Sequence, residues 1–116
     1  MKKFAVIGLG NFGMNIARSL VENNCEVLGI DIDKNTVDKA KDFLTYAITG
    51  NPANKAILDS LGLNEYDAVI LSIGQEMVSS ILISLYLKEA KVKKIIARAI
   101  SEDHEKILKQ LGVDTV

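Results

Sequence analysis

The stretch that decides the fold lies near the start of the chain and reads Phe4-Ala5-Val6-Ile7-Gly8-Leu9-Gly10-Asn11-Phe12-Gly13. Its first part is apolar and favours a buried strand, and its second part has the spacing G-x-G-x-x-G. Phe12, Ile16 and Leu20 then recur at four-residue intervals, which predicts an amphipathic helix packed on a sheet. The stretch therefore predicts a strand, a tight turn and a helix.

Apolar, β-favouring runs alternate with segments of helical period along the rest of the chain. The predicted strands span 4–7, 26–30, 46–49, 68–73 and 94–99, and a sixth begins at Val113. Helices are predicted between them, for example at 35–43 and 76–90. This alternation is typical of βαβ units around a parallel sheet. We therefore predict an α/β fold, a Rossmann-like, doubly wound parallel sheet of six strands in the order 3-2-1-4-5-6.

The predicted helix at 76–90 has apolar residues around its whole circumference. We expect its core face to comprise Met77, Val78, Ile81, Leu82 and Leu85. Other sides of the helix carry Ile83, Tyr86 and Leu87. One sheet cannot cover both sets. The second set is either scattered surface residues, which every protein has, or a contact with another subunit or domain.

The three glycines of the first turn have different expected tasks. Gly8 allows the tight turn, Gly10 lets the backbone approach a phosphate, and Gly13 lets the helix pack closely on the strand. The N-terminus of the helix offers free N–H groups to an anion. The alternative is a turn whose glycines serve packing only.

Acidic and polar residues follow three further strands at the same edge of the sheet. Asp31 lies 18 residues beyond Gly13, close to the offset of about 20 residues at which dinucleotide-binding folds place the acid that holds a ribose. This acid favours NAD or adenosine ligands over NADP, because it would repel a 2′-phosphate. Asp33 is either a second ribose contact or the N-cap of the next helix. The segments Gly50-Asn51-Pro52-Ala53 and Ser72-Ile73-Gly74 either face a ligand or form loop turns.

Composition and the remaining residues exclude several classes of protein. The chain has 116 residues, a formal charge of −1, one Cys and one His, so we expect one domain without a disulfide, a Cys/His metal site or a nucleic-acid partner. No run approaches the roughly 20 apolar residues of a membrane span. His104 follows Ser101-Glu102-Asp103 and reads as part of a helix start, not as a general base. We expect no catalytic residues, and therefore a protein that is not an enzyme.

These residues, in this order, resemble the N-terminal domain of RCK proteins, the regulators of K⁺ conductance that include TrkA-like and KtrA-like subunits. The matching segments are Phe4 to Gly13, Gly29 to Asp33, Asp67 to Gly74, Ile96 to Ala99 and His104 to Leu108. The resemblance covers nearly the whole chain, so 1–116 is expected to be one nucleotide-binding TrkA-N domain. The family's C-terminal ligand-sensing domain does not follow within these residues.

The resemblance implies a cytoplasmic regulatory subunit that gates a membrane K⁺ transporter or channel as its bound nucleotide changes. It implies homodimers that assemble into rings, octameric in the family, and attachment to the membrane through the partner without direct insertion. NAD(H) or an adenine nucleotide (ADP, ATP or AMP) is the expected ligand. The alternatives are the cofactor-binding part of an NAD-dependent oxidoreductase and a methyltransferase.

The resemblance also implies roles for individual residues. The glycine loop would hold phosphates, Asp31 the ribose, Asn51 the adenine side and Arg98 the phosphate side. ATP-responsive KtrA-like members commonly carry Arg where this sequence has Asn11, so a diphosphate or dinucleotide fits this chain better than ATP. The expected site residues are Gly8, Gly10, Asn11, Phe12, Gly13, Asp31, Ile32, Asp33, Asn51, Pro52, Ser72, Ile73, Gly74 and Arg98.

Overall fold

The computed structural model describes residues 1–73 and 76–116, which form a parallel sheet between two layers of helices. The strands are β1 (Lys3–Ile7), β2 (Glu26–Asp31), β3 (Tyr46–Thr49), β4 (Ala68–Leu71) and β5 (Ile95–Ala97). The helices are α1 (Asn11–Glu22), α2 (Lys34–Ala40), α3 (Lys55–Ser60), α4 (Met77–Glu89) and α5 (Glu102–Gln110), and a short 3₁₀ turn spans Leu63–Glu65.

The sheet has the order β3-β2-β1-β4-β5, with every neighbouring pair parallel. The predicted order is therefore confirmed for its first five strands. Of the predicted sixth strand, the described residues contain one isolated parallel bridge from Ile96 to Thr115, supported by the Ala97 N–H to Thr115 carbonyl hydrogen bond of 2.9 Å.

Alternate residues of each strand bury their side chains in two separate cores, as a sheet covered on both faces requires. One core joins the strands to α1 and α2, with Val6 and Ala17 among its buried residues. The other joins them to α3, α4 and α5, with Ile7, Leu71 and Leu108 among its buried residues. Within the described ranges, no helix combines the length and apolar character that a membrane span needs.

The predicted core face of α4 is wrong. The buried side chains of this helix are Ser80, Ile83, Ser84 and Leu87. Val78 is 71% exposed, and Met77, Leu82 and Leu85 are also exposed. Apolar residues surround the helix, so periodicity could not select one face, and the two buried serines misled the prediction. The unpartnered apolar strip of α4 is therefore the one that contains Val78, Leu82 and Leu85.

Two helices, α3 and α5, end in the same pattern Ile-Leu-x-x-Leu-Gly, which stands at residues 57–62 and 107–112. Gly62 follows α3 with a φ of +64°, and Gly112 follows α5 with a φ of +91°. This left-handed conformation suits glycine, and it closes a helix before the chain returns toward the sheet.

Candidate functional site

A cleft of about 420 Å³ opens at the carboxyl edge of the sheet, above β1 and its neighbours. The predicted site residues that line it are Gly8, Gly10, Asn11, Phe12, Asp31, Ser72, Ile73 and Arg98. The sheet order places Asp31 of β2 on one side of the glycine loop and the residues after β4 and β5 on the other. Open α/β sheets bind their ligands at this edge, where the strand order reverses.

The three glycines of the loop (Gly8, Gly10 and Gly13) meet different surroundings. Gly8 has a φ of +94°, and a Cβ there would lie 2.5 Å from a methyl carbon of Ile73. A Cβ on Gly13 would overlap the Gly8 carbonyl oxygen and come within 2.5 Å of the Ser72 hydroxyl. A Cβ on Gly10, in contrast, would meet no atom within 4 Å. Gly8 and Gly13 are therefore required by packing, whereas Gly10 leaves open space beside the cleft.

Helix α1 begins at the cleft without a side-chain cap. Its N-cap residue is Gly10, and the first turn contains no acidic residue. The N-termini of α2, α3 and α5, in contrast, are capped by the side chains of Asp33, Asn54 and Ser101. An uncapped helix N-terminus presents unpaired N–H groups and the positive end of the helix dipole, which together attract an anion.

Asp31 holds the glycine loop from the side. Its Oδ2 accepts a hydrogen bond of 2.7 Å from the Leu9 N–H, and its Oδ1 accepts one of 2.9 Å from the Asp33 N–H. A carboxylate has about four lone-pair sites, so each oxygen keeps capacity for a ligand hydroxyl. Asp31 can therefore fix the loop and accept a hydrogen bond from a ribose at the same time.

Ser72 holds the glycine loop from the other side. Its hydroxyl donates to the carbonyl oxygen of Gly8, and its backbone N–H donates to the Ile7 carbonyl oxygen over 2.9 Å. The Ser72 hydroxyl is thus engaged with the backbone of the glycine loop.

Arg98 directly follows β5, and its side chain lies against Phe12 at the start of α1. Its Cζ lies 4.2 Å from the centre of the Phe12 ring, a cation–π arrangement. Arginine is suited to bidentate hydrogen bonding with phosphate, and this contact holds the guanidinium on the same side of the cleft as the N-terminus of α1.

Several predicted site residues do not line the cleft. Asp33 caps α2 by accepting from the Asn35 N–H over 3.0 Å, and this selects the capping alternative. Asn51 accepts from the Ala53 N–H over 2.9 Å in a turn of its own. The others outside the lining are Gly13, which lies beneath the loop, Ile32, which is 67% exposed, and Pro52, which is buried. Gly74 lies outside the described residues.

Two lining residues were missed by sequence reasoning. Glu76 precedes α4, and Ile100 follows β5 by three residues. A signal for both was present, because they follow strands whose carboxyl ends share the edge with β1. Glu76 adds a second carboxylate to the lining, so the cleft is charged by two acids and Arg98.

The chain matches a known protein family over nearly its whole length. The family model of the TrkA-N domain matches residues 4–116. The chain is 40% identical over 115 residues to the Ktr system potassium uptake protein C of Bacillus subtilis, covering 99% of this chain and 52% of that protein. It is 36% identical over 115 residues to the Ktr system potassium uptake protein A of Vibrio alginolyticus, with the same coverage. The chain thus spans about half the length of these relatives.

Solved structures share the fold at lower identity. The TrkA-N domain of the inner membrane protein ybaL from Escherichia coli superposes with a TM-score of 0.88 at 24% identity, over 99% of this chain and 85% of that one. The GsuK channel bound to NAD superposes with a TM-score of 0.85 at 15% identity, over 99% of this chain and 21% of that one. GsuK bound to ADP superposes with a TM-score of 0.84 at 15% identity, over 99% of this chain and 30% of that one. Prephenate dehydrogenase from A. aeolicus in complex with NAD⁺ superposes with a TM-score of 0.72 at 18% identity, over 96% of this chain and 38% of that one.

The family match, the 40% identity and the glycine loop that the structure places over a cleft agree with one another. They also agree with the resemblance that the sequence motifs indicated. The chain belongs to the TrkA-N domain family.

Proposed function

We propose that this chain is the nucleotide-binding domain of a regulatory protein for K⁺ uptake, and that it binds NAD(H) or ADP in the cleft at the glycine loop. The observation that carries the proposal is the open space at Gly10, with the uncapped N-terminus of α1 on one side and Asp31 on the other. The names of the two Ktr relatives support the link to potassium uptake.

The phosphates of the ligand occupy the space at Gly10. Only at this glycine of the loop could an atom be added without a clash, and the N–H groups at the start of α1 supply hydrogen-bond donors there. Arg98 adds a positive charge on the same side. Asn11 is neutral, and Glu76 opposes further negative charge, so we expect a diphosphate to bind more tightly than ATP.

The ribose of the adenosine lies against Asp31. Its hydroxyl groups donate to the carboxylate oxygens, which keep free lone pairs beside their two backbone partners. A 2′-phosphate would place a dianion against this carboxylate. This charge repulsion supports a preference for NAD over NADP.

The nucleotide acts as a regulator and not as a substrate. A bound nucleotide shifts a conformational equilibrium only as far as its affinities for the two states differ. We propose that such a difference, transmitted through a homo-oligomeric ring, controls a membrane K⁺ transporter or channel from the cytoplasmic side. The exposed strip of α4 with Val78, Leu82 and Leu85 is the contact surface between copies.

Calorimetric titration with NAD, NADH, ADP, ATP and AMP tests the binding proposal. Asp31→Asn should weaken binding of ADP by about 1–3 kcal/mol, because it removes a charged acceptor from the ribose hydroxyls. Asp38→Asn is the matched control, since this aspartate pairs with Lys41 on the surface of α2 outside the cleft. Failure of all five nucleotides to bind the wild-type chain would refute the proposal.

The oxidoreductase alternative rests on the fold alone. Prephenate dehydrogenase shares the architecture at 18% identity, and among the described residues the cleft is lined by neither a His nor a Tyr that could move a proton. Hydride transfer from NADH to a substrate, followed by absorbance with the longer natural protein, would favour the alternative.

A further inference from the structure

His104, the one histidine of the chain, is fully buried in the first turn of α5. Its backbone N–H donates to the hydroxyl of Ser101, the N-cap, over 3.1 Å, as its place at a helix start predicts. Its side chain, in contrast, points inward between α4 and α5. Histidine is rarely left buried without partners for both ring nitrogens, and here both have one.

The partners of the ring define its tautomer. The backbone N–H of Ile100 donates to Nδ1 over 3.1 Å, so Nδ1 carries no proton. Nε2 lies 3.1 Å from the hydroxyl oxygen of Ser80, which is also fully buried. A neutral imidazole has one donor and one acceptor nitrogen, so the proton lies on Nε2 and is donated to Ser80.

These two partners are attached to two different walls of the cleft. Ile100 itself lines the cleft, two residues beyond Arg98. Ser80 lies in the first turn of α4, where its N–H donates to the carbonyl oxygen of Glu76 over 2.9 Å. Glu76 is a lining residue too. A single buried side chain therefore ties the segment after β5 to the start of α4.

We propose that His104 is a positioning residue of the nucleotide cleft: by holding the Ile100 backbone and Ser80, it fixes the wall that carries Arg98 and Ile100 relative to α4. This inference rests on the proposed nucleotide binding. His104 touches neither the cleft nor a ligand, and it acts through Ile100. Without the imidazole the Ile100 N–H loses its acceptor, and the segment from Arg98 to Ile100 can adopt other conformations that do not face the phosphates.

Two substitutions of His104 separate positioning from packing. His104→Asn keeps an acceptor oxygen near the place of Nδ1 and can still pair with the Ile100 N–H. His104→Leu is similar in size to the imidazole and pairs with neither partner. The matched control is Leu108→Ala, one turn further along the buried face of α5, because Leu108 is a core residue that does not itself line the cleft.

ADP affinity by calorimetry, the melting temperature and the hydrogen-exchange rate of the Ile100 amide are measured for each variant. We expect His104→Leu to bind ADP about tenfold more weakly and to lose protection of the Ile100 amide, since the Ile100 N–H then loses its acceptor. His104→Asn should stay within about threefold of wild type and keep that protection. Leu108→Ala should lower the melting temperature and leave the ADP affinity unchanged.

A folded His104→Leu variant with wild-type ADP affinity would overturn the positioning role, and so would an equal loss of affinity in Leu108→Ala. Should His104→Leu fail to fold, the measurements on His104→Asn decide: loss of Ile100 amide protection together with wild-type ADP affinity in that variant overturns the role as well. A wild-type chain that binds no nucleotide refutes the proposed function itself. Wild-type binding with no effect of these substitutions refutes only the role of His104.

Discussion

A methyl group at position 10 would enter the cleft without contacting any neighbouring atom. Gly10 has a φ of −66°, which alanine adopts readily, and its added Cβ would have no heavy atom within 4 Å. Gly10→Ala therefore changes the space that a phosphate needs while leaving the packing of the loop as it is. The substitution separates ligand binding from folding.

The expected magnitudes follow from this geometry. Alanine restricts the unfolded chain and so stabilises by about 0.4–1 kcal/mol, while its poorer N-cap preference costs a similar amount. The free energy of unfolding should therefore change by less than about 0.5 kcal/mol. Forcing a methyl group against a phosphate should cost about 1–3 kcal/mol, as overpacking does in a protein core, which corresponds to roughly 5- to 150-fold weaker nucleotide binding.

The assay combines calorimetric titration with ADP and urea denaturation of the same preparations. Gly50→Ala is the matched control, because its Cβ would make ordinary contacts of 3.5–3.8 Å with isoleucine side chains outside the cleft lining. We expect unchanged ADP affinity for the control and weakened affinity for Gly10→Ala. Equal ADP affinity in wild type and Gly10→Ala would refute the placement of the phosphates at the glycine loop.

Three further substitutions test the packing, the electrostatics and the assembly. Gly13→Ala should lower the free energy of unfolding in urea by about 1–3 kcal/mol, because its Cβ overlaps the Gly8 carbonyl; an unchanged midpoint would contradict the tight packing of α1. Burial, followed by the nearby Glu26, raises the pKa of Tyr66 above 10.0. The free energy of unfolding should therefore fall as the pH rises above 10.0 toward that raised pKa, because the unfolded chain loses the Tyr66 proton first. Tyr66→Phe, which has no phenol to titrate, should abolish the contribution of this residue to the fall. Val78→Glu should lower the oligomeric state measured by light scattering, and an unaffected assembly would exclude the α4 strip as the contact.

The sequence was informative where local chemistry determines the structure. The turn conformation of Gly8 and the close packing at Gly13 were both predicted, because a G-x-G-x-x-G turn needs a backbone conformation at the first glycine and a close approach at the third that only glycine permits. Asp31 was placed correctly at the end of its strand. Its hydrogen bond to the Leu9 N–H was not foreseen, since it joins residues 22 positions apart in the chain.

Prediction failed where tertiary packing decides between similar local patterns. The apolar residues of α4 surround the helix, so only the packing against α3 and α5 shows that Ser80 and Ser84 face inward and Val78 outward. Buried Ser80 in turn pairs with His104, which reads in the sequence as a polar residue of a helix start. Asn51 likewise reads as a ligand contact, while its side chain is used in a turn.

A crystal structure of this chain, from crystals grown with ADP, would be the most direct test of nucleotide binding in the cleft. We expect electron density for the diphosphate beside Gly10 and the N-terminus of α1, with the ribose hydroxyls within hydrogen-bond distance of Asp31. ADP bound elsewhere on the molecule, or a cleft without density at saturating ADP, would contradict the account.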